Sequence, residues 1–268
     1  MLSILVINFK NPALLRLCLK SITTVVAPDF KHEIIVVDVA SSIETSNIVR
    51  EEFKGVKLLS FKENIGFTRG VNEGIKNSQG DAYLILNPDI VPLRGSIEGL
   101  YNYLKNNSDA GMVGPRLLNF DGTPQNSCFK FPTLLTLLFR RTFLGRLPFA
   151  RKGLEHFLMK NSDLSKDHPV DWLMGSALLV SRKAVSKVGL MDERLFLYMN
   201  DVDWPRQFWE NGYKVVYYPE SVMYHYHKRE SKGYFLLLDI FYKKETRWHL
   251  KDAITYFKKH GLKIPRYS

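Results

Sequence analysis

Residues 82–89, Ala82-Tyr83-Leu84-Ile85-Leu86-Asn87-Pro88-Asp89, read as a buried strand that ends on a polar turn. Five apolar residues run without alternation, as they do in a strand covered on both faces, and proline then stops the ladder. The same pattern recurs upstream in SILVINF (3–9), HEIIVVDV (32–39) and VKLLSF (56–61). Helical patterns separate these runs. Asn11-Pro12 opens a helix with Leu14, Leu15, Cys18, Leu19 and Ile22 on one face, a Ser-capped helix is expected from Ser42 to Phe53, and another runs to Asn77. Alternating strands and helices predict an α/β fold, with a mostly parallel central sheet and helices on both faces. Downstream, a strand is expected at 177–181, a helix over Val202–Asn211, a strand at 214–218 and an amphipathic helix from Leu237 to His260.

In such sheets ligands bind beyond the carboxyl ends of the strands. Polar residues fall there four times: Asn8, Asp38, Asn64 and the Asn87-Pro88-Asp89 turn. Each type is a common turn former, so it is the repetition at equivalent places that points to a site. Asp89, closing a buried strand, suits a hard divalent cation that neutralises a diphosphate; ordinary strand punctuation explains the turn equally.

Further constellations carry chemistry. Glu63-Asn64-Ile65-Gly66-Phe67-Thr68-Arg69-Gly70-Val71-Asn72-Glu73-Gly74 spaces three glycines by four residues at a helix start. Either the helix N–H groups meet a phosphate there, with Gly66, Arg69 and Asn72 as contacts, or small residues let the helix pack closely. It is neither a dinucleotide fingerprint nor a P-loop. The segment 196–206 sets Asp201, Asp203 and Arg206 at a helix start behind Phe196, Leu197, Tyr198 and Met199. Acids there complement the helix dipole, or one serves as a base beside a partly dry wall. Tyr224-His225-Tyr226-His227 would turn both histidines to one side of an extended chain, where one can complete a metal shell with Asp89.

Taken together these motifs resemble the family 2 inverting glycosyltransferases of the GT-A fold, in the rhamnosyltransferase-like branch. The match runs in order through ILVINFKN, IIVVD, ENIGFTRGVNEGI, YLILNPD, GMVGPRLLNFDG, VDWLMGSALLVSR, LFLYMNDVDWPR and the late His225. The resemblance implies that Asn8, Asp38 and Asn64 line the base and ribose, and that Asn87 and Asp89 occupy the place of a DxD metal motif. It makes Asp89 and His225 ligands of Mg²⁺ or Mn²⁺, Asp201 the catalytic base, and Trp172, Gly175 and Ser176, with Asp203 and Arg206, the acceptor side. Val39-Ala40-Ser41 after Asp38 departs from the family pattern, and so does Asn200 where a glutamate usually precedes the base. The implied reaction moves L-rhamnose from dTDP-L-rhamnose to a lipid-linked or growing polysaccharide acceptor. A hexosyl or galactofuranosyl transferase using a UDP- or GDP-sugar is the alternative, as is a non-catalytic glycan- or membrane-binding module.

Charge adds a location. Residues 129–166 hold eight Lys/Arg against two acids, and 228–268 hold eleven against four, so the net +11 resides in these two segments. Both carry bulky apolar runs, LLTLLF and YFLLLDIFY, which suits an anionic membrane surface as well as a solvated face over ordinary helices. No nucleic-acid module accompanies the charge. The organisation expected is one transferase domain over 1–228, with the basic insertion, and a basic helical tail over 229–268. In that tail Phe235, Leu238, Phe241 and Tyr242 would oppose Lys243, Lys244, Arg247 and Lys251. Cys18 and Cys128 form neither a zinc motif nor a disulfide framework. With no signal-peptide pattern and no spanning apolar run, the expected location is cytoplasmic, at the inner face of the cell membrane.

Overall fold

The computed structural model describes residues 1–226, 242–265 and 267. Its first half is a right-handed succession of β1 (Leu2–Asn8), α1 (Pro12–Val25), β2 (His32–Asp38), α2 (Ile43–Asn47), β3 (Lys57–Ser60), α3 (Gly66–Lys76) and β4 (Ala82–Leu86). The strands pair in parallel in the order β3-β2-β1-β4. β1 is buried along its whole length, and its alternate residues feed two cores. Leu2, Ile4 and Val6 meet α1 on one face, while Leu5 and Ile7 meet α3 on the other.

The expected helix over 42–53 forms in two parts. Ser42 caps α2 by accepting from Thr45 N at 3.1 Å, and a π-helical turn, Ile48–Glu52, completes it. After β4 come β5 (Ile90–Pro92), α4 (Ser96–Asn106), β6 (Ala110–Leu118) and β7 (Cys128–Phe129). The basic insertion folds into α5 (Leu134–Arg141), a 3₁₀ turn at Phe143–Arg146 and α6 (Pro148–Phe157). Then follow β8 (His168–Pro169), β9 (Trp172–Leu173), β10 (Ala177–Ser181), α7 (Arg182–Val188), α8 (Asn200–Glu210) and β11 (Lys214–His225). β10 enters antiparallel between β4 and β6, whereas β11 runs parallel to β6, so the sheet is mixed. β11 is longer than expected because a bulge between Tyr218 and Val222 lets the strand continue to His225.

The last element, α9 (Lys244–His260), is part of the globular body rather than a trailing tail. Ala253 and Tyr256 pack against Leu195, Met199 and Val202. Asp252, fully buried, accepts hydrogen bonds from the backbone N–H groups of Phe196 (3.2 Å), Leu197 (3.0 Å) and Tyr198 (2.9 Å). The expected start of this helix at Leu237, with the apolar residues Phe235, Leu238 and Phe241, lies outside the described residues, as does His227. Tyr242 is exposed. Among the described residues no helix is long and apolar enough to cross a membrane.

Asp252→Ala would leave three backbone donors without their acceptor and is expected to cost about 3 kcal/mol. In a chain of this size that lowers Tm by about 6–12 °C. Asp252→Asn, which keeps one acceptor oxygen, should lose less; an unchanged melting midpoint in Asp252→Ala would show that α9 is held by its apolar stripe alone.

Candidate active site

The carboxyl ends of β1, β2 and β4 open onto a cleft of about 640 Å³. Chain reversal at β10 completes it. Leu86 pairs with Ala177, and Asn87 N donates to Ser176 O at 2.9 Å, so Gly175-Ser176 lies beside the Asn87-Pro88-Asp89 turn. On the far side the end of β11 pairs with β5, opposing His225 to Ile90, and Tyr226 N donates to Asp89 O at 2.9 Å. Residues separated by more than a hundred positions thereby meet. His225 Nε2 stands 3.5 Å from Asp89 Oδ2.

The imidazole is oriented by Gln125. Its amide nitrogen donates to His225 O (2.8 Å) and to Asn119 Oδ1 (2.7 Å), which leaves Oε1 as the acceptor 2.9 Å from His225 Nδ1. Nδ1 therefore carries a proton, and in the neutral ring Nε2 presents its lone pair toward Asp89. Asp89 Oδ1 is buried without a hydrogen-bond partner, as is Ser176 Oγ. A carboxylate with one unpartnered buried oxygen and the other 3.5 Å from an imidazole nitrogen fits a divalent cation. Among the described residues no third His, Cys, Asp or Glu joins them, so a cation there would draw its other ligands from a diphosphate and water.

Asp201 lies on the cleft at the start of α8, which opens from Met199 in the left-handed region (φ 61°). Gly175 N donates to its Oδ2 at 3.3 Å, and a Cβ at Gly175 would approach the Asp201 Cβ to 3.1 Å. The carboxyl opens to the cleft but is otherwise enclosed. Burial pushes its pKa up to about 6, against the opposing pull of the Gly175 N–H and the Arg140 charge. Asn200 beside it is buried, and its amide donates to Thr68 Oγ1 (3.1 Å) and Leu197 O (3.0 Å). The Asn200 amide thus supplies two donated hydrogen bonds that an ionised acid could not.

Of the residues expected in the site, Asn64, Gly66, Asn87, Asp89, Trp172, Gly175, Ser176, Asp201 and His225 line the cleft. Others do not. Asn8 and Asp38 are fully buried one layer beneath it, joined by a 3.0 Å hydrogen bond, with the Asp38 carboxyl raised by burial against that bond. The glycine series serves packing: a Cβ on Gly70 would meet Val39 at 2.6 Å, and one on Gly74 would meet Leu5 at 3.1 Å. Gly66 alone faces the cleft, at φ +80°, and its N–H is taken by Asn64 Oδ1 (2.9 Å). Asn72 is buried against Met191 O and Glu193, and Arg69 is exposed outside the cleft. Asp203 and Arg206 also point away. Asp203 is buried against Gln207 (2.6 Å), Lys259 (2.8 Å) and His260 (2.6 Å), and Arg206 reaches Glu210 (3.0 Å) and His260 O (3.4 Å), so both fasten α9 to α8. The cleft also gains Phe9, Arg140, Trp248 and His249, which no local motif announced.

A cleft at the switch point of an α/β sheet, with Asp89 and His225 on one wall and the raised Asp201 carboxyl on the other, is the architecture of a glycosyltransferase of the GT-A fold. The family model for glycosyl transferase family 2 matches residues 3–187, and the chain belongs to that family, in its rhamnosyltransferase-like branch. It is 30% identical over 214 residues to the N-acetylglucosaminyl-diphospho-decaprenol L-rhamnosyltransferase of Mycobacterium tuberculosis, covering 75% of this chain and 68% of that protein. The low-salt glycan biosynthesis hexosyltransferase of Haloferax volcanii is 29% identical over 206 residues, covering 75% and 59%. Among solved structures, the Pyrobaculum calidifontis mannosyltransferase with GDP-Man and Mn²⁺ superimposes with a TM-score of 0.64 at 17% identity, covering 98% of this chain and 65% of that one. GalNAc-T7 with UDP, GalNAc and Mn²⁺ gives 0.67 at 14%, covering 86% and 44%. The two structural likenesses carry the fold.

Asn200→Asp tests the donor requirement. The introduced carboxyl can donate to Leu197 O only while protonated, and burial beside Asp201 raises its pKa above the unfolded value. Stability should therefore be near the parent's below pH about 4 and fall as pH rises, by about 2–3 kcal/mol at pH 8. Thermal unfolding across pH reads this, and a pH-independent difference would mean the amide donor is not what the site requires.

Proposed function

We propose that the chain transfers a sugar, L-rhamnose from dTDP-L-rhamnose, to a lipid-linked acceptor with inversion at the anomeric carbon. The observation that carries the reading is Asp201, whose carboxyl titrates at about 6 on the wall of a cleft that also holds the Asp89–His225 pair. The named activity of the Mycobacterium tuberculosis relative supports both rhamnose and a lipid-diphosphate acceptor. The Haloferax volcanii relative, a hexosyltransferase, supports the alternative of another hexose from a UDP- or GDP-sugar. Donor hydrolysis across a panel of nucleotide sugars separates the two.

Asn64, Gly66 and Asn87 hold the donor side, and Trp172, Gly175 and Ser176 hold the acceptor side. Asp201 takes the proton from the attacking hydroxyl as its oxygen bonds to the anomeric carbon. The bond to the diphosphate oxygen breaks, and the nucleoside diphosphate leaves from the opposite face. Asp89 and His225 would hold Mg²⁺ or Mn²⁺, which supplies charge neutralisation at the diphosphate when bound. The basic segments fit work at the cytoplasmic face of an anionic membrane.

Asp201→Asn keeps size and hydrogen bonding but accepts no proton, so kcat should drop at least about a hundredfold with donor binding kept. In the parent enzyme kcat should be level above about pH 7, half-maximal near pH 6 and lower still as Asp201 is protonated below its value of about 6. Near-normal turnover in Asp201→Asn would remove it from the chemistry.

Chelation by EDTA is expected to stop transfer and added Mn²⁺ or Mg²⁺ to restore it, with Asp89→Ala unrescued at ordinary metal levels. His225→Ala should need more metal for half-maximal rate, by about 10–100-fold. Full activity in excess chelator refutes the cation.

A further inference from the structure

The short helix α5 (Leu134–Arg141) stands between the catalytic cleft and the surface. Thr133 caps it, accepting from Thr136 N at 2.8 Å while its own N–H donates to Thr136 Oγ1 at 3.3 Å. Spacing divides the helix into two faces. Leu137 and Arg140, three residues apart, line the catalytic cleft. Leu134, Leu135 and Leu138, on the other side, are 51%, 59% and 40% exposed. The apolar surface continues across the hairpin to Leu147 and to Phe149, which is 67% exposed and makes an edge contact with Phe139 at 5.7 Å. Arg146, Arg151 and Lys152 are exposed around it, with Glu155 the one acid between 134 and 160.

Large aliphatic side chains in water are unfavourable, and a contiguous group of them marks a binding surface. Ringed by cations, this group matches the interface of an anionic bilayer, where aliphatic side chains enter the acyl boundary and arginine and lysine meet headgroups. The same helix turns Arg140 inward. Its guanidinium stacks over the Phe157 ring at 5.1 Å and lies close enough to Asp201 to act on that carboxyl. A planar fork of N–H donors there suits a phosphate.

We infer that the α5–α6 hairpin seats the enzyme on an anionic membrane and that α5 guides a lipid-diphosphate acceptor into the cleft, Arg140 taking the phosphate that joins lipid to sugar. The inference rests on the lipid-linked acceptor proposed above. It places the acceptor's charged junction where the membrane face and the catalytic face of one short helix meet. The sugar beyond that junction then extends toward Asp201.

Two measurements test it on the full chain. The parent should co-sediment with vesicles of phosphatidylcholine and phosphatidylglycerol in equal parts, be released by salt, and bind phosphatidylcholine alone much less. The L134E/L135E variant, altered only at exposed positions, should bind the mixed vesicles at least about tenfold more weakly, with its melting midpoint and donor affinity unchanged. Arg140→Ala should raise KM about tenfold for an acceptor on a lipid diphosphate. For the same sugar on an uncharged aglycone, KM should change far less. Parent-like vesicle binding by L134E/L135E overturns the seating, and an equal penalty on both acceptors overturns the phosphate role. The vesicle arm uses neither donor nor transfer, so it decides the seating even if the proposed sugar or acceptor is wrong.

Discussion

Two fully buried carboxylates, Asp252 and Asp203, bind α9 to the segment that carries Asp201. Asp252 gathers three successive backbone N–H groups of Phe196–Tyr198, and Asp203 joins Lys259 and His260 one turn into α8. Such buried charges are costly unless fully hydrogen-bonded, and hydrogen bonds to a charged group are worth about 1.5–3 kcal/mol each. Between these two clamps Met199 adopts a left-handed conformation that an unsupported loop would avoid. From that residue α8 starts and Asp201 faces the cleft. The family match ends at residue 187, so the proposed base, His225 and the helix that fixes the base all lie beyond it. Residues 196–202, 225, 226, 248 and 249 all line the cleft.

The sheet explains how donor and acceptor walls come together. Parallel strands β3-β2-β1-β4 bring their carboxyl ends to one edge of the molecule. β10 runs the opposite way beside β4, so its amino end, Gly175-Ser176, meets the carboxyl end of β4 at Asn87. A glycine lets that strand approach Asp201 closely, for a Cβ there would come within 3.1 Å of the Asp201 Cβ. The switch from parallel to antiparallel is thus what sets the Asn87–Asp89 turn and the Gly175–Asp201 contact on one cleft.

β1, β2 and β4 were legible because they are buried on both faces and read as nearly unbroken apolar runs, and the edge strand β3 because Leu58 and Leu59 continue the pattern. The Ser42 cap and the polar residues at strand ends were legible for equally local reasons. Asp89, Asp201 and His225 stood out by residue chemistry and were sharpened by the resemblance, whereas Gly175 came from the resemblance alone. Misread positions share a cause. Asn72 looks like part of a phosphate loop in one dimension, yet its amide is bonded to Met191 O, while Gly70 and Gly74 follow the packing alternative against Val39 and Leu5. Gln125 reaches His225 across a hundred residues, and Asp252 reaches Phe196 across 56. No periodicity encodes such pairings; they exist only once β11 and α9 have packed.

Asn200 connects these layers. Its amide joins Leu197 O, in the loop held by Asp252, to Thr68 on α3. The start of α3 presses on the same loop, for Gly66 has no Cβ where the Phe196 ring and carbonyl come within 2.6–2.8 Å of that position. Thr68 N also donates to Phe196 O at 3.5 Å. The start of α3 and the segment that carries Asp201 are therefore one packed unit. A glutamate at position 200 would add a like charge beside Asp201 and raise its pKa further. With asparagine there, burial alone brings the carboxyl to about 6, low enough to be ionised at neutral pH and high enough to accept a proton readily. The departure from the family pattern thus trades an electrostatic neighbour for a hydrogen-bonded brace, and Asp201 is left with the protonation state suited to the base proposed above.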